Sequence, residues 1–305
     1  MVRLALLVLT GCAALAPPHV LLISGSDSGG GAGLQADVKT CEALGVFSTN
    51  AVTAVTAQNT VGVRGVHGVP PAFIVQQMDA VFDDFGVDAA KTGLLASADV
   101  VEAVARRLRG ATVAVVVDPV VCAASGDVFV DQETIEAIKA ELLPLATVLT
   151  PNAAEAQLLA GDGAGATLSV ARARALAARL LEHGPAAVVV KGARRVDGEA
   201  LEGAEWVGPP RAPGDGIVVD VCAFADGSFA SFACPAVATR NTHGTGCTFS
   251  AAVAARLASG DAPRAAIRAA KMYVDAALRA SAPLTLGRGA HGPLHHGFLQ
   301  ASWPA

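Results

Sequence analysis

The sequence is short of charge and of aromatic rings. Only 16% of its residues are Asp, Glu, Lys or Arg, and only 4% are Phe, Trp or Tyr. Lys and Arg are scattered in ones and twos, with neither a basic run nor basic residues interleaved with aromatics, which excludes the usual footprint of nucleic-acid binding. The six cysteines, at positions 12, 41, 122, 222, 234 and 247, make no C-x-x-C pair and no metal-ligand spacing. A core of this size needs no disulfide staple, so a reducing compartment is expected. The apolar run in the N-terminal "MVRLALLVLTGCAALAPP" is too short to span a bilayer, although it has the look of an export signal. Residues 1–18 are read as a dispensable extension, from a misplaced start or an organelle-targeting piece, and no membrane partner is expected.

Two familiar nucleotide motifs are also missing. The loop "GSDSGGGAG" at 25–33 has no three glycines at the G-x-G-x-x-G spacing, and no Lys-Ser or Lys-Thr follows them as in a Walker A loop. What is present is a composition 52% hydrophobic with a net charge of −5 over 305 residues. That suits one large α/β domain of alternating strands and helices.

The alternation can be followed along the chain. "HVLLIS" reads as a strand, the Gly-rich loop follows, and Leu34, Val38, Cys41 and Leu44 recur at helical spacing. Further strands are expected at "NAVTAVTAQ", "VDAAKTG", "ATVAVVVDP", "TVLTPN" and "AAVVVKG". Helices are expected over 71–85, 98–109, 131–143, 153–160 and 169–183. The runs Val113 to Val117 and Val188 to Val190 have the continuous β-branched character of strands buried on both faces of a parallel sheet. Residues 193–216 break the rhythm as a surface excursion. "IVVDVCAFADGSFASFAC" reads as a hairpin around Asp226-Gly227, and helices at 248–258 and 263–281 read as core. The fold class is a doubly wound, three-layer α/β/α sandwich with a mostly parallel central sheet.

Such folds place ligands at the carboxyl ends of their strands. Polar residues stand there in this chain: Asp27, Gln58 with Asn59, Asp118, Asn152 with Glu155, and Lys191. Asp118 and Asn152 are also ordinary turn and helix caps, the glycine-rich loop also reads as a tight turn, and Lys191 can also snorkel to solvent. The stretch "TRNTHGTGCTFS" opens a helix, so its unpaired amides form an anion site in which Gly244 and Gly246 allow close approach. Cys247 stands beside that site.

Taken together, "ISGSDSGGGAGLQADVKT", "AVTAVTAQNT", "KTGLL", "VVVDPVV", "TPNAAEA", "VVVKG" and "TRNTHGTGCTFSAA" resemble, in order, the hydroxymethylpyrimidine/phosphomethylpyrimidine kinases of the ribokinase-like superfamily. The ending "LGRGAHGPLHH" is similar too. The resemblance spans residues 19–297, leaving 298–305 as a tail. It implies ATP as co-substrate, Mg²⁺ as cofactor with a monovalent cation as a further candidate, and two successive phosphorylations of 4-amino-5-hydroxymethyl-2-methylpyrimidine for thiamine synthesis. It also implies a homodimer and a cytoplasmic location, organellar if residues 1–18 are a targeting segment.

Mapped by motif, the resemblance makes Gly244, Thr245, Gly246 and Cys247 the catalytic anion loop, and Gln58, Asp37, Gly25 and Asp27 the substrate side. Lys191, Asn152 and Thr242 fall on the ATP side, with Glu155 and Asp118 towards the metal. Where most of the superfamily has aspartate as base, this chain has Cys247, whose thiol the helix N-terminus is expected to acidify. Val121 and Ala124 depart from the residues common in the family, and the 193–216 excursion is longer. A pyridoxine or pyridoxal kinase is the nearest alternative. A non-catalytic ligand-binding protein on the same scaffold is the alternative of another class.

Overall fold

A computed structural model describes residues 16–121, 129–162, 168–194, 203–212 and 216–299. The N-terminal extension up to residue 15, Ala124, residues 195–202 and 213–215 of the excursion, and the tail from residue 300 lie outside the described residues. The remainder alternates as expected. β1 (His19–Asp27), β2 (Phe47–Asn59), β4 (Ala89–Thr92), β5 (Ala114–Val117), β6 (Val148–Leu149) and β7 (Ala187–Arg194) are separated by α1 (Gly33–Ala43), α2 (Pro71–Phe82), α3 (Ala98–Arg109), α4 (Gln132–Ala137), α5 (Ala153–Leu159) and α6 (Val170–Leu181). The hairpin around Asp226-Gly227 is β9 (Ile217–Phe224) with β10 (Phe229–Pro235), and α7 (Thr245–Ala258) and α8 (Pro263–Ser281) close the fold.

Two strands go beyond the sequence reading. β3 (Gly62–Gly68) folds back antiparallel on β2, and β8 (Ala204–Trp206), inside the excursion, pairs parallel with β10. Both lie at the ends of the sheet order β3-β2-β1-β4-β5-β6-β7-β9-β10-β8, where strands are short or largely exposed and carry little apolar signal. The helix expected over 131–143 is α4 followed by a wider π-type turn at Ile138–Leu142 and a 3₁₀ turn at Leu143–Leu145, because Pro144 cannot continue the α-helical ladder.

Alternation along the strands builds the three layers. Leu21, Ile23, Val115, Val117, Val188 and Val190 pack into the core under α2, α3, α5 and α6. Val20, Leu22, Val116 and Val189 pack into the opposite core under α1, α7 and α8. Each fully buried aliphatic side chain contributes about 1.5–3 kcal/mol, so the central strands are held from both faces. Every parallel central strand therefore ends at the same edge of the sheet, and helices that begin there turn their amino termini towards it.

A close backbone approach on that edge occurs at Gly244, the residue before α7. It is left-handed (φ 84°), and a Cβ there would lie 1.8 Å from the Gly31 carbonyl oxygen. Gly45 is also left-handed (φ 73°) but has open space around it. Gly45→Ala should cost only the backbone term of about 1–2 kcal/mol, and Gly244→Ala clearly more, as measured by urea unfolding. Equal costs would show that the two loops are not in contact.

Candidate functional site

The strand ends and the start of α7 enclose one cleft of about 430 Å³. Of the residues singled out in the sequence, Gly25, Asp27, Gln58, Asp118, Asn152, Glu155, Lys191, Thr242 and Gly244 to Cys247 all line it. Asp37 does not.

On one side of the cleft Lys191, in β7, donates from Nζ to Asp118 Oδ1 at 3.1 Å. Asp118, just beyond β5, is buried and accepts further hydrogen bonds from Thr150 Oγ1 and Ser250 Oγ, each at 3.1 Å. Burial opposes its charge, but Lys191 and Lys91, with the bonds from Lys191 and Ser250, hold its carboxyl below the usual range. Asn152 caps α5: its Oδ1 accepts from the amides of Ala154 and Glu155, while Glu155 Oε2 accepts from the Asn152 amide at 2.7 Å. This reciprocal capping box fixes Glu155 in the cleft wall. Burial, opposed by Lys191 and assisted by Asp118, pushes the Glu155 carboxyl up to about 7.

Across from this cluster is the amino terminus of α7. The first amides of a helix have no intrahelical acceptor. Thr245 N–H is taken by Thr242 O at 3.3 Å, and the amides of Gly246 and Cys247 have no acceptor among the described residues. The loop can therefore offer two adjacent donors and the positive end of the helix dipole to an anion.

Cys247 departs from expectation. It receives a backbone hydrogen bond from Gly33 and feels the charge of Lys91, both of which favour the thiolate, but burial, with Asp37 and Asp118, pushes its thiol up to about 12. Burial and the two nearby carboxylates thus oppose the acidification expected from the helix amino terminus.

Asp37 needs a second correction. It is completely buried behind the cleft wall, paired with the equally buried Lys91 at 2.7 Å. Burial raises its carboxyl to about 6 against the pull of Lys91, so the pair is charged at neutral pH and not placed to touch substrate. Asp27 does reach the cleft, but its carboxylate serves the loop. It accepts from the amides of Gly29 (2.7 Å), Gly31 (3.0 Å) and Ala32 (2.8 Å) and lies 2.9 Å from His243 Nε2. Gln58 Nε2 lies 3.1 Å from the same imidazole nitrogen.

Sequence reasoning missed His243, Lys91, Asp220 and Lys271. His243 stood unassigned inside "TRNTHGTGC", and Lys91 inside "KTGLL"; a lysine in an otherwise apolar strand was the available signal. His243 is also braced by the closing segment, since its amide donates to Gly292 O at 3.0 Å and Asn241 Nδ2 donates to Leu284 O at 2.9 Å. Asp220 and Lys271 line the cleft as an ion pair at 3.0 Å, and nothing local in the sequence couples them.

A family model described as "Phosphomethylpyrimidine kinase" matches residues 27–295. A "Hydroxymethylpyrimidine/phosphomethylpyrimidine kinase" of Haemophilus influenzae is 40% identical over 279 residues, covering 91% of this chain and 96% of that one. A "Thiamine biosynthesis bifunctional protein" of Geobacter sulfurreducens is 44% identical over 278 residues, covering 91% of this chain but 52% of that one. The chain thus spans about half the length of that bifunctional relative. Among solved structures, the pyridoxal kinase from Staphylococcus aureus in complex with AMP-PCP and pyridoxal superposes with a TM-score of 0.76 at 29% identity, covering 93% of this chain and 96% of that one.

Alkylation reads the state of Cys247, because only the thiolate reacts. In the unliganded protein the rate at Cys247, followed by peptide mass spectrometry with iodoacetamide, should rise about tenfold per pH unit between about pH 7 and pH 10 without levelling off. A plateau beginning near neutral pH would show that the helix amino terminus prevails over burial.

Proposed function

The chain belongs to the phosphomethylpyrimidine kinase family, and from that premise we propose that it transfers the γ-phosphate of ATP first to the hydroxymethyl group of an aminopyrimidine and then to the resulting monophosphate. The observation that supports this reading most directly is the meeting, in one cleft, of Lys191, the Asp118–Glu155 carboxylates and the open amides of α7. Phosphoryl transfer asks mainly for in-line positioning and neutralisation of charge on the moving group. Lys191 brings a point charge to the phosphates, and the amides of Gly246 and Cys247 bring fixed donors.

Gln58 is the residue to read the heterocycle edge, since a side-chain amide both donates and accepts. The His243 ring beside it limits its freedom. Asn152, with its oxygen committed to the cap, has its amide nitrogen left as donor on the nucleotide side.

Mg²⁺ is the cation this reading calls for. Among the described residues no group of three or more His, Cys, Asp or Glu side chains is placed to hold a metal. Two cleft carboxylates, Asp118 and Glu155, are present, a donor set that suits an ion which keeps most of its waters. Bound there, it would supply positive charge to the phosphates.

Cys247 occupies the position from which a base would act on the substrate hydroxyl. Burial and the neighbouring Asp37 and Asp118 oppose its ionisation, and Lys91 is the neighbouring charge that favours it. The reading includes a homodimer, for which the exposed Val55, Val61 and Val66 of the β2–β3 hairpin offer an apolar surface. No helix of the described residues is long and apolar enough to cross a membrane, and a cytoplasmic or organellar site with ATP completes the reading.

Mass spectrometry of the products tests the dual transfer. Diphosphate should appear from both the alcohol and the monophosphate when ATP and Mg²⁺ are supplied. Its absence from both would overturn the assignment, and faster ADP release with pyridoxal than with the pyrimidine would favour the vitamin B6 alternative. In Gln58→Ala the KM for the pyrimidine should rise about five- to a hundred-fold with that for ATP little changed, the cost of one truncated buried hydrogen bond. Cys247→Ser should bind both substrates nearly normally but lose about 10²–10⁴-fold in kcat, and near-wild-type turnover with chemistry rate-limiting would assign the thiol to packing.

A further inference from the structure

The pairing of β7 with β9 breaks at one place. Val190 pairs with Val221 and Ala193 with Val219, so that two residues of β7, Lys191 and Gly192, oppose the single residue Asp220. This is a β-bulge, a device that bends one strand and re-aims a side chain. Gly192 is left-handed there (φ 77°), a conformation that disfavours every residue with a Cβ.

The bulge frees a backbone donor inside the sheet, and a buried N–H has to find another acceptor. Lys191 N–H turns to the other side and donates to Pro151 O at 2.9 Å. Gly192 N–H has no strand carbonyl and instead donates to Asp220 Oδ1 at 2.9 Å. The other oxygen of the same carboxylate, Oδ2, meets Lys271 Nζ of α8 at 3.0 Å, and the two side chains are only 4% and 8% exposed. A buried carboxylate needs such a partner. The Asp220 side chain is thus a surrogate strand: one oxygen replaces the missing ladder acceptor, and the other is neutralised from the helix behind.

The geometry points to Asp220 and Lys271 as positioning residues for Lys191, holding the bulge that turns the Lys191 ammonium into the cleft towards the nucleotide phosphates. This rests on the reading of Lys191 as the phosphate-binding cation. Both line the cleft, but the effect assigned to them passes through the backbone at 191 and 192.

Two charge-balanced double variants isolate the hydrogen bond. Asp220→Asn with Lys271→Met keeps an oxygen for Gly192 N–H, and Asp220→Ala with Lys271→Met removes it. The alanine pair should lose about ten-fold or more in kcat/KM for ATP with the KM for the aminopyrimidine unchanged, and the asparagine pair should stay within about three-fold of wild type. Adding Lys191→Met to the alanine pair should cost no more than Lys191→Met alone, since both remove the same ammonium from the phosphates. Gly192→Ala covers the case in which the alanine pair does not fold. No atom lies within 4 Å of a Cβ there, so it strains only the bulge and should reproduce the selective ATP defect. Equal damage in both double variants, equal loss for ATP and pyrimidine, or additive losses with Lys191→Met would overturn the proposal. A Lys191→Met enzyme with unaltered ATP kinetics would instead overturn the reading of Lys191 beneath it.

Discussion

Keeping a lysine charged within a largely buried wall is the constraint to which most of this site answers. Lys191 is paired with Asp118 and feels the charge of Glu155 in a wall that is largely removed from water, and burial works against the charge of each. Leaving any one of them unpaired would cost several kcal/mol. Asp118 is accordingly tied by Thr150 and Ser250, Glu155 by the capping box of α5, and the backbone carrying Lys191 by Asp220. These residues come from β7, β9, α5, α7 and the segments that follow β5 and β6, so the cluster exists only when those elements are assembled.

The same edge explains why the thiol at the amino terminus of α7 is pushed up rather than down. An exposed cysteine in the first turn of α7 would be acidified by the dipole. Here Cys247 is packed against the amide of Gly33, above the buried Asp37–Lys91 pair and near Asp118. Two negative groups and the loss of water outweigh one lysine and one amide. Local sequence promises a thiolate, and the tertiary surroundings oppose it.

Much of the architecture was legible because its signals are local. Unbroken valine runs mark strands buried on both faces, and the alternation of such runs with helical spacing gives the doubly wound order. Strand-end residues such as Asp118, Asn152, Glu155 and Lys191 could be placed because the ligand edge of such a sheet is known once its direction is. β3 and β8 were not legible: one is mostly exposed and the other is three residues long. Asp37 was misplaced because its position in "QAD" says nothing about which face of α1 it occupies, and the burial of Lys91 in β4 decides that. His243, Asp220 and Lys271 depend on partners 216, 28 and 51 positions away, counting His243 to Asp27, Asp220 to Gly192 and Lys271 to Asp220. No window of sequence contains those pairs.

The central claim is that this buried lysine, and not the glycine-rich loop at 25–33, is the side chain that holds the nucleotide phosphates. Calorimetric titration of a non-hydrolysable ATP analogue with Mg²⁺ into the wild type and into Lys191→Met tests it most directly. The account predicts affinity weakened about ten- to a hundred-fold, the worth of a charge-assisted contact, with aminopyrimidine binding unchanged. A folded Lys191→Met protein that binds the analogue as tightly as the wild type would contradict it.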